Sequence, residues 1–368
     1  MDDKLKKNSN FTYDKAGVDI NQTDTLKREI SAFVAGGDSR VLNKLGPFAS
    51  LYDIKFDNLA HPVLALKSEE PGSKQKLAIK YGFSESISHD MINHLVNDII
   101  VMGAKPLAVL DTIVCGSADS EVIKSIVKGV SDACRNNECT LVGGETSVQP
   151  GVVGDGTYIL TASIAGIVDK EDIIDGSAIQ NGDIILAVAS NGLHTNGYSL
   201  VRMLMDETPD INQRTVGEDS FIEAIMKPHT AYYSVVKDLF VNKGLKGMAH
   251  ITGGGIEGNL RRIIPDGLYA AVDLSKIKAL PIFGYIKKVG DISDEEMLKT
   301  FNCGVGLILV VSPEYLVDAS AHISKHCDCY PLGEIRYCAA TQMMRSVSAD
   351  TGSGKVVFEN SINWAARD

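Results

Sequence analysis

Four polar side chains at helical spacing form the pattern in this sequence that is best suited to holding a cation. Apolar residues recur every three to four positions over 86–102, which predicts an amphipathic helix. The polar side chains that share one arc of roughly 100° on that helix are Asp90, His94, Asn97 and Asp98. Carboxylate and amide oxygens are ligands that Mg²⁺ prefers. The stripe is therefore compatible with a magnesium site, although a solvated helix face has the same pattern.

Glycine clusters indicate a second kind of chemistry, the binding of phosphate groups. They lie at 143–144, within 192–197 (GLHTNG) and at 253–255 (GGG). Glycine lets a backbone approach a phosphate closely, and the free N–H groups at the start of a following helix favour an anion. The third cluster also satisfies GxGxxG, with Asp273 further along as in a dinucleotide-binding fold. The helix-like run after it is too short for a crossover, so a phosphate-binding turn is the favoured interpretation.

Two histidines lie in or beside these glycine clusters and are candidates for proton transfer. His194 lies inside GLHTNG, and His250 precedes Thr252 and the third cluster. Imidazole titrates near neutral pH and can act as a general acid or base, while a structural hydrogen bond is the alternative for each ring. The sequence contains neither GxSxG nor a Walker A motif. Nothing in it therefore favours nucleophilic acyl transfer or a P-loop.

The elements that must position these residues alternate between strand-like and helix-like segments, which predicts a mixed α/β fold. A turn-rich stretch predicts a domain boundary near residue 172. Asp111 interrupts the second strand, and the polar segment 205–219 is expected to be an exposed loop. The predicted helices span 86–102, 121–134 and 230–240, and the predicted strands span 63–66, 107–115, 158–168, 184–189, 247–252, 268–272 and 304–311.

Composition excludes several classes of function. The 368-residue chain has a formal net charge of −11, which disfavours binding to nucleic acid and to anionic membranes. No apolar run reaches the ~18 residues of a membrane span, and the charged N-terminus does not resemble a secretory signal. Seven cysteines without a CxxC pair fit a cytoplasmic location. We interpret the cluster of His322, His326, Cys327 and Cys329 as ordinary histidines and free thiols rather than as a zinc site.

Taken in order, the motifs resemble the aminoimidazole ribonucleotide synthetase family, the phosphoribosylformylglycinamidine cyclo-ligases of purine biosynthesis. The likeness covers residues 13–336. The glycine loops alone indicate only the wider superfamily, which includes hydrogenase maturation proteins and thiamin-phosphate kinases, whereas AGVDI and TFNCGVG look specific to the cyclo-ligases. The similar segments are YDKAGVDI (13–20), LGPFASLY (45–52), LVNDIIVMGAKPLAVLD (95–111), LVGGETSVQPG (141–151), DGSAIQNGD (175–183), SNGLHTNGYSLVR (190–202), HITGGGIEGNLRRIIP (250–265), TFNCGVGL (300–307) and LGEI (332–335).

The resemblance implies an ATP-dependent ring closure by a cytoplasmic homodimer. ATP would phosphorylate the formyl oxygen of formylglycinamidine ribonucleotide, an amidine nitrogen would attack that carbon, and phosphate would leave. The expected cofactors are ATP and Mg²⁺, and the expected substrate is a small ribonucleotide phosphate. The implied domains are a flexible tail at 1–12, an N-terminal ATP-binding domain at 13–172 that dimerises through a shared β-barrel, a C-terminal α/β domain at 173–345 and an extension at 346–368.

The positions that match the family motifs imply the residues of the site. Catalytic roles are expected for His250, His194 and Lys74, and Mg²⁺ ligands are expected at Asp98, Glu69 and Glu145. The residues expected to bind nucleotide or substrate are Glu69, Gly72, Ser73, Asn97, Asp111, Gly143, Gly144, Glu145, Asn196, Thr252, Gly253, Gly254, Gly255 and Asn302.

The segment 66–74 departs from the family pattern. The family reads SGTDGVGTK where this chain reads LKSEEPGSK, so that Glu70 and Pro71 replace Gly and Val. His229 and Thr230 stand where the family usually has Thr-Arg or Thr-Lys. Two alternatives to the cyclo-ligase therefore remain open. One is a paralogue on the same fold that activates another amide or carbonyl oxygen with ATP, and the other is a non-catalytic nucleotide-binding homologue.

Overall fold

A computed structural model describes most of the chain, namely residues 25–26, 28–34, 37–43, 48–338 and 355–364. The motif at 13–20 and the tail at 1–12 lie outside the described residues, as does part of the motif at 45–52. Within the described residues, no helix is both long enough and apolar enough to cross a membrane.

The first half of the chain forms a four-stranded sheet covered by helices on one face. Its strands, in order across the sheet, are β1 (Pro62–Glu69), β4 (Tyr158–Asp169), β2 (Lys105–Cys115) and β3 (Thr140–Val148). Neighbouring strands are antiparallel except β2 and β3, which are parallel. The helices are a short α1 (Lys74–Lys80) and the longer α2 (Ser84–Ile100) and α3 (Ser120–Asn136).

Apolar spacing explains which faces of these elements are buried. Burial alternates along β1 with the period of two that is expected of a strand with one covered face. On α2 the residues at helical spacing, among them Met91 and Leu95, are completely buried against the sheet and α3. The other face of the sheet carries large apolar side chains that are 40% to 71% exposed, namely Leu64, Leu66, Leu110 and Ile159.

The second half forms a six-stranded sheet with helices packed around it. In order across the sheet the strands are β12 (Lys355–Glu359), β9 (Leu268–Asp273), β11 (Cys329–Tyr337), β5 (Ile184–Ala189), β10 (Val305–Val311) and β8 (Leu245–His250). All neighbours are antiparallel except β12 and β9. A two-stranded ribbon is made by β6 (Thr215–Val216) and β7 (Asp219–Ser220). The helices are α4 (Tyr198–Glu207), α5 (Phe221–Met226), α6 (Tyr233–Val236), α7 (Gly255–Leu260), α8 (Pro281–Gly290), α9 (Asp294–Thr300) and α10 (Leu316–Ile323).

The mixed α/β class is confirmed, while several local predictions are wrong. β2 runs without interruption through Asp111, because the side chain of that residue is buried and its backbone pairs on both sides. The helix predicted at 230–240 is reduced to α6 and a 3₁₀ turn. The segment 205–219 is not simply an exposed loop, since Ile211 and Val216 are buried.

The dinucleotide-binding pattern does not form a dinucleotide-binding fold. In such a fold, the strand before the glycines and the strand after the helix are adjacent parallel strands of one sheet. Here β8 lies at the edge of its sheet, separated from β9 by β10, β5 and β11. The connecting helix α7 has only six residues. The glycine cluster is therefore a turn at the end of an edge strand.

Candidate active site

The polar stripe of α2 faces the second half of the chain rather than solvent. Asn93 Nδ2 donates a hydrogen bond to the carbonyl of His229 at 2.7 Å. Asn97 donates to the carbonyl of Thr230 at 2.8 Å and accepts from the N–H of Tyr232 at 3.0 Å. Both amide atoms of Asn97 are thus committed to backbone. Asn97, for which nucleotide binding stays a prediction, therefore joins the two halves.

A buried ion pair completes this contact. Lys74 Nζ lies 2.8 Å from a carboxylate oxygen of Asp90, and both side chains are completely buried. The same ammonium donates to the carbonyls of His194 at 3.1 Å and Lys227 at 2.7 Å. Burial raises the pKa of Asp90 to about 6, although the charge of Lys74 opposes this. Lys74, expected to be catalytic, reaches no open surface and joins α1 to two loops of the second half.

Four histidines from separate segments meet beside Asp98. His250 Nδ1 lies 2.7 Å from Asp98 Oδ1, and its Nε2 lies 2.9 Å from Nε2 of His229. The ring of His194 stacks on that of His229, with the centroids 3.9 Å apart. His94, one helical turn before Asp98, lies edge-on to His250 with the centroids 5.1 Å apart. The two predicted histidines are therefore brought together, in a cluster larger than the sequence indicated.

Burial governs the protonation of this cluster. It lowers the pKa of His94 to about 4, and the electrostatic interaction with the neighbouring His250 lowers it further. It also lowers the pKa values of His194 and His229 well below the usual range, so both rings are neutral at pH 7. For Asp98, burial acts to raise the pKa, but the hydrogen bonds from His250 and Lys67 and the electrostatic interactions with His250 and His94 together outweigh it and hold the pKa below its ordinary value. Asp98 is therefore a carboxylate in contact with a hydrogen-bonded imidazole chain.

The solvent side of the cluster is formed by one ammonium and two carboxylates. Lys67 Nζ lies 3.0 Å from Glu69 Oε2 and 3.0 Å from Asp98 Oδ2. The side chains of Lys67, Glu69 and Asp98 are 37%, 25% and 21% exposed, whereas that of His250 is 3% exposed. A ligand arriving from solvent would meet these three groups first, with the imidazole of His250 behind them.

Two glycine loops meet next to the cluster. A Cβ atom on Gly253 would lie 3.3 Å from Asn196 Oδ1, so the GLHTNG loop contacts the glycine triplet. Gly253 and Gly254 are exposed. The side-chain amide of Asn259, which sequence analysis missed, donates to the carbonyls of Thr252 and Gly253 and thereby shapes the turn. The exposed backbone of this turn is available to a ligand.

Two residues expected to bind ligand make structural contacts, and their binding of ligand stays a prediction. A Cβ atom on Gly255 would lie 1.8 Å from the carbonyl oxygen of Leu298, so this glycine allows α7 to pack closely on α9. Asn302 is buried, donates to the carbonyl of Gly192 at 2.9 Å and lies 2.9 Å from the hydroxyl of Ser190. It holds the start of the GLHTNG loop.

The first predicted glycine cluster lies within a strand rather than in a loop. Gly143 and Gly144 belong to β3, where Gly144 pairs with Asp111 of β2. A Cβ atom on Gly144 would lie 1.8 Å from Asp111 Oδ1, so only glycine leaves room for that carboxyl group. Burial raises the pKa of Asp111 to about 7. Gly143, Gly144 and Asp111 therefore lie in the first sheet, apart from the two glycine loops beside the histidine cluster.

Glu145 is not brought to the other predicted metal ligands. Glu69 on β1 and Asp111 on β2 pair with the same residue of β4, and Gly144 on β3 continues that row. With strands ~4.8 Å apart, the neighbouring Glu145 lies roughly 14 Å across the sheet from Glu69. One ion cannot contact both carboxylates within this chain.

The segment before α1 closes the site from the other side. A Cβ atom on Gly72 would lie 3.3 Å from the carbonyl oxygen of Thr195, and Ser73 Oγ lies 3.5 Å from the hydroxyl of Ser199 at the start of α4. Both predicted residues therefore lie at the junction of the two halves, beside the GLHTNG loop.

Sequence analysis did not select Lys67 or His229 as site residues, and it included His94 only in the polar stripe of α2. The spacing of Lys67 and Glu69 places both on one face of β1, and His94 is one helical turn from Asp98. These two signals were present in the sequence. His229 follows a proline in an irregular segment, where no periodicity points to its position. Only the folded chain shows that it bonds to His250.

Comparison with protein families gives two matches that together span both halves. The family described as AIR synthase related protein, N-terminal domain, matches residues 72–168. The family described as AIR synthase related protein, C-terminal domain, matches residues 180–337.

Individual proteins are similar over nearly the whole chain. Phosphoribosylformylglycinamidine cyclo-ligase of Methylobacillus flagellatus is 39% identical over 336 residues, which are 90% of this chain and 96% of that protein. The protein of the same name from Nitrosospira multiformis is 37% identical over 89% of this chain and 94% of its own length.

Solved structures with low sequence identity share the fold. Hydrogenase maturation protein HypE in complex with ATP has a TM-score of 0.63 at 16% identity, covering 95% of this chain and 92% of that one. Thiamine-monophosphate kinase from Stenotrophomonas maltophilia has a TM-score of 0.59 at 14% identity, covering 92% and 96%.

Proposed function

The chain belongs to the phosphoribosylformylglycinamidine cyclo-ligase family, and we propose that it uses ATP to close the imidazole ring of aminoimidazole ribonucleotide. The observation that carries this proposal is the 39% identity to a cyclo-ligase over 90% of the chain, across both halves. The cluster around Asp98 lies where those two halves meet, since Asp98 is on α2 and His250 ends β8.

The reaction requires phosphoryl transfer, ring closure and the movement of one proton. The γ-phosphoryl group of ATP moves to the formyl oxygen of formylglycinamidine ribonucleotide, leaving ADP. An amidine nitrogen then forms a bond to the formyl carbon, and the carbon–oxygen bond breaks with release of phosphate. The nitrogen loses a proton, which a base in the site must accept.

We assign this proton to the pair formed by Asp98 and His250. Asp98 is partly exposed and ionised, and its carboxylate is hydrogen-bonded to the imidazole of His250 at 2.7 Å. His250 in turn bonds to His229, which holds the imidazole of His250 in place against Asp98. His194 stacks against His229 and has a buried ring, and its role in this proposal is to position the ring of His229.

Phosphate groups would be held by backbone and by one ammonium. Gly253 and Gly254 present exposed backbone, and Asn196 lies beside them. Lys67, at the solvent side of the cluster, is the charged donor nearest to Asp98. A preorganised cation of this kind stabilises charge that develops during phosphoryl transfer.

Mg²⁺ is the expected counter-ion of the ATP phosphates. Asp98 and Glu69 supply oxygen atoms that suit it. The other donors beside them are imidazole nitrogens, with His94 Nε2 3.7 Å from Asp98 and 3.9 Å from Glu69. The donor set as a whole fits Mg²⁺ poorly, and no step of the reaction is assigned to that ion.

A second copy of this chain is the proposed partner of the first sheet. Leu64, Leu66, Leu110 and Ile159 form one exposed face of this sheet. Among the described residues, no element covers it. Apolar faces of this kind mark interaction surfaces. A two-fold contact between two such faces would bury them, in keeping with the homodimer expected for the family.

The test is a coupled assay of ADP release by the full chain, with chromatographic detection of aminoimidazole ribonucleotide. We expect ADP release only when formylglycinamidine ribonucleotide is present, with one product formed per ADP. Asp98→Asn should lose most of this activity, whereas His326→Gln, a change on the exposed surface of the second half, should keep it. ATP binding without turnover, or ADP release without ring closure, would contradict the proposal.

A further inference from the structure

Two imidazoles and two carboxylates converge on one small volume at the solvent side of the cluster. The donor atoms of His94, Asp98 and His250 all lie within 4.8 Å of one another. Glu69 adds a carboxylate oxygen 3.9 Å from His94 Nε2. Ligands of one transition-metal ion stand ~2.0–2.2 Å from it, so their mutual separations reach about 4.2 Å. Small side-chain movements would bring all four donors to one ion.

Each imidazole is oriented by a second partner behind it. His94 Nδ1 lies 3.0 Å from the hydroxyl of Thr195, which leaves Nε2 facing the carboxylates. His250 Nε2 lies 2.9 Å from His229, which leaves Nδ1 facing Asp98. Metal-binding histidines characteristically have such outer hydrogen bonds, because these hold the ring and its tautomer in place.

The space between these donors already holds a positively charged group, the ammonium of Lys67. Lys67 Nζ lies 3.0 Å from a carboxylate oxygen of Glu69 and 3.0 Å from one of Asp98. Its side chain is 37% exposed, so it can swing outward and leave the carboxylates to a metal ion. An ammonium at this position is a competitor for the ion.

We propose that His94, Asp98, His250 and Glu69 form a binding site for one divalent transition-metal ion, of which Zn²⁺ and Co²⁺ are representative. Mixed nitrogen and carboxylate donors suit these ions, whereas Mg²⁺ takes oxygen ligands almost entirely. The inference goes beyond the proposed function: a metal ion would occupy the Asp98 and His250 atoms that are assigned there to the proton, so metal binding and ring closure would compete for this site.

A neighbouring trio of histidines is a poorer site. The ring nitrogens of His194, His229 and His250 also lie within 4.8 Å of one another, and His194 Nδ1 has no hydrogen-bond partner among the described residues. The rings of His194 and His229 are stacked at 20°, however. An imidazole binds a metal in the plane of its ring, so two stacked rings cannot share one ion.

The test is calorimetric titration of the full chain with Zn²⁺ and with Mg²⁺, without ATP or substrate, together with the visible absorption of the Co²⁺ form. We expect one Zn²⁺ per chain and no displacement by equimolar Mg²⁺. His94→Leu should weaken Zn²⁺ binding by more than about 100-fold, beyond the usual effect of an outer-shell change, and Thr195→Val by ~10-fold. Lys67→Met should strengthen binding, because the competing ammonium is removed.

A matched control separates this site from adventitious binding. The rings of His322 and His326 have centroids 5.9 Å apart, and His326 is exposed, so His326→Gln should leave the high-affinity Zn²⁺ titration unchanged. Circular dichroism of each variant establishes that it is folded. The inference is overturned if wild type binds no Zn²⁺, or if His94→Leu and Thr195→Val both bind it normally.

The test of Zn²⁺ binding and the test of ring closure can fail independently of each other. Zn²⁺ binding without ring closure would leave the metal site in place and reject the cyclo-ligase activity. Ring closure with Mg²⁺-ATP by a chain that binds no Zn²⁺ would do the reverse.

Discussion

Replacing Lys74 with methionine tests whether this lysine is catalytic, as sequence motifs imply, or structural, as its surroundings imply. The ammonium group is completely buried against Asp90 and donates to the carbonyls of His194 and Lys227. Methionine keeps most of the volume and removes the charge and the three donors. Asp90 is then left as a buried carboxyl group without its cation.

The expected loss of stability at pH 8 is ~3–5 kcal/mol, the usual result of removing one partner of a buried ion pair. For a domain of this size that corresponds to a fall in Tm of roughly 10 °C. The loss should be smaller at pH 5. The pKa of Asp90 is already raised to about 6 by burial, and removing Lys74 raises it further. At pH 5 the carboxyl group is therefore protonated in the folded variant, and little charge is buried.

Urea denaturation followed by circular dichroism at pH 5 and pH 8 measures both effects. Lys74→Met combined with Asp90→Asn should recover at least half of the loss, since the amide oxygen can still accept from the N–H of His229. Lys76→Met, an exposed change on the same helix, is the control and should alter the midpoint little. The reasoning is refuted if Lys74→Met keeps the wild-type midpoint while kcat falls by ~100-fold or more.

Three further predictions concern the imidazole of His250, the exposed sheet and the buried carboxyl group. His250→Gln should lower kcat by ~100-fold with the fold retained, because Asp98 loses its hydrogen-bonded imidazole, and an unchanged kcat in steady-state assays would contradict this. Leu66→Lys should convert a dimer into a monomer in sedimentation, whereas Val317→Lys, equally exposed in the second half, should not. Burial raises the pKa of Asp111 to about 7, so wild type should lose stability as pH rises from about 4 to about 7, by at most ~4 kcal/mol. Asp111→Asn should remove that part of the pH dependence of the urea midpoint. If the midpoint of the variant changes with pH as it does in wild type, another group is responsible.

Periodicity in the sequence predicted most of the elements that carry the site. The helix predicted at 86–102 is α2 at Ser84–Ile100, and the strand predicted at 184–189 is β5 with the same bounds. Both succeed because their apolar residues repeat with the period of the element and face one core. The helix predicted at 230–240 fails because its apolar residues are buried by irregular packing, which has no such period.

Motif positions in the sequence identified some site residues but not what each one does. Asp98 and His250 were selected, and the structure places them 2.7 Å apart. Lys74 and Asn97 were selected on the same basis, but both are committed to contacts between the two halves. A motif marks a position that the fold needs. It does not distinguish a residue that touches a ligand from one that holds the loops around it.

What the sequence determined by itself is the order and type of the elements, the mixed α/β class and the family, because each rests on local spacing or on similarity along the chain. Only the tertiary structure decided the composition of the cluster. Lys67, His94, His229 and His250 are far apart in sequence, and they meet because β1, α2 and the end of β8 pack at one junction. Whether a polar stripe is solvated or buried depends on what packs against it, and no local pattern contains that information.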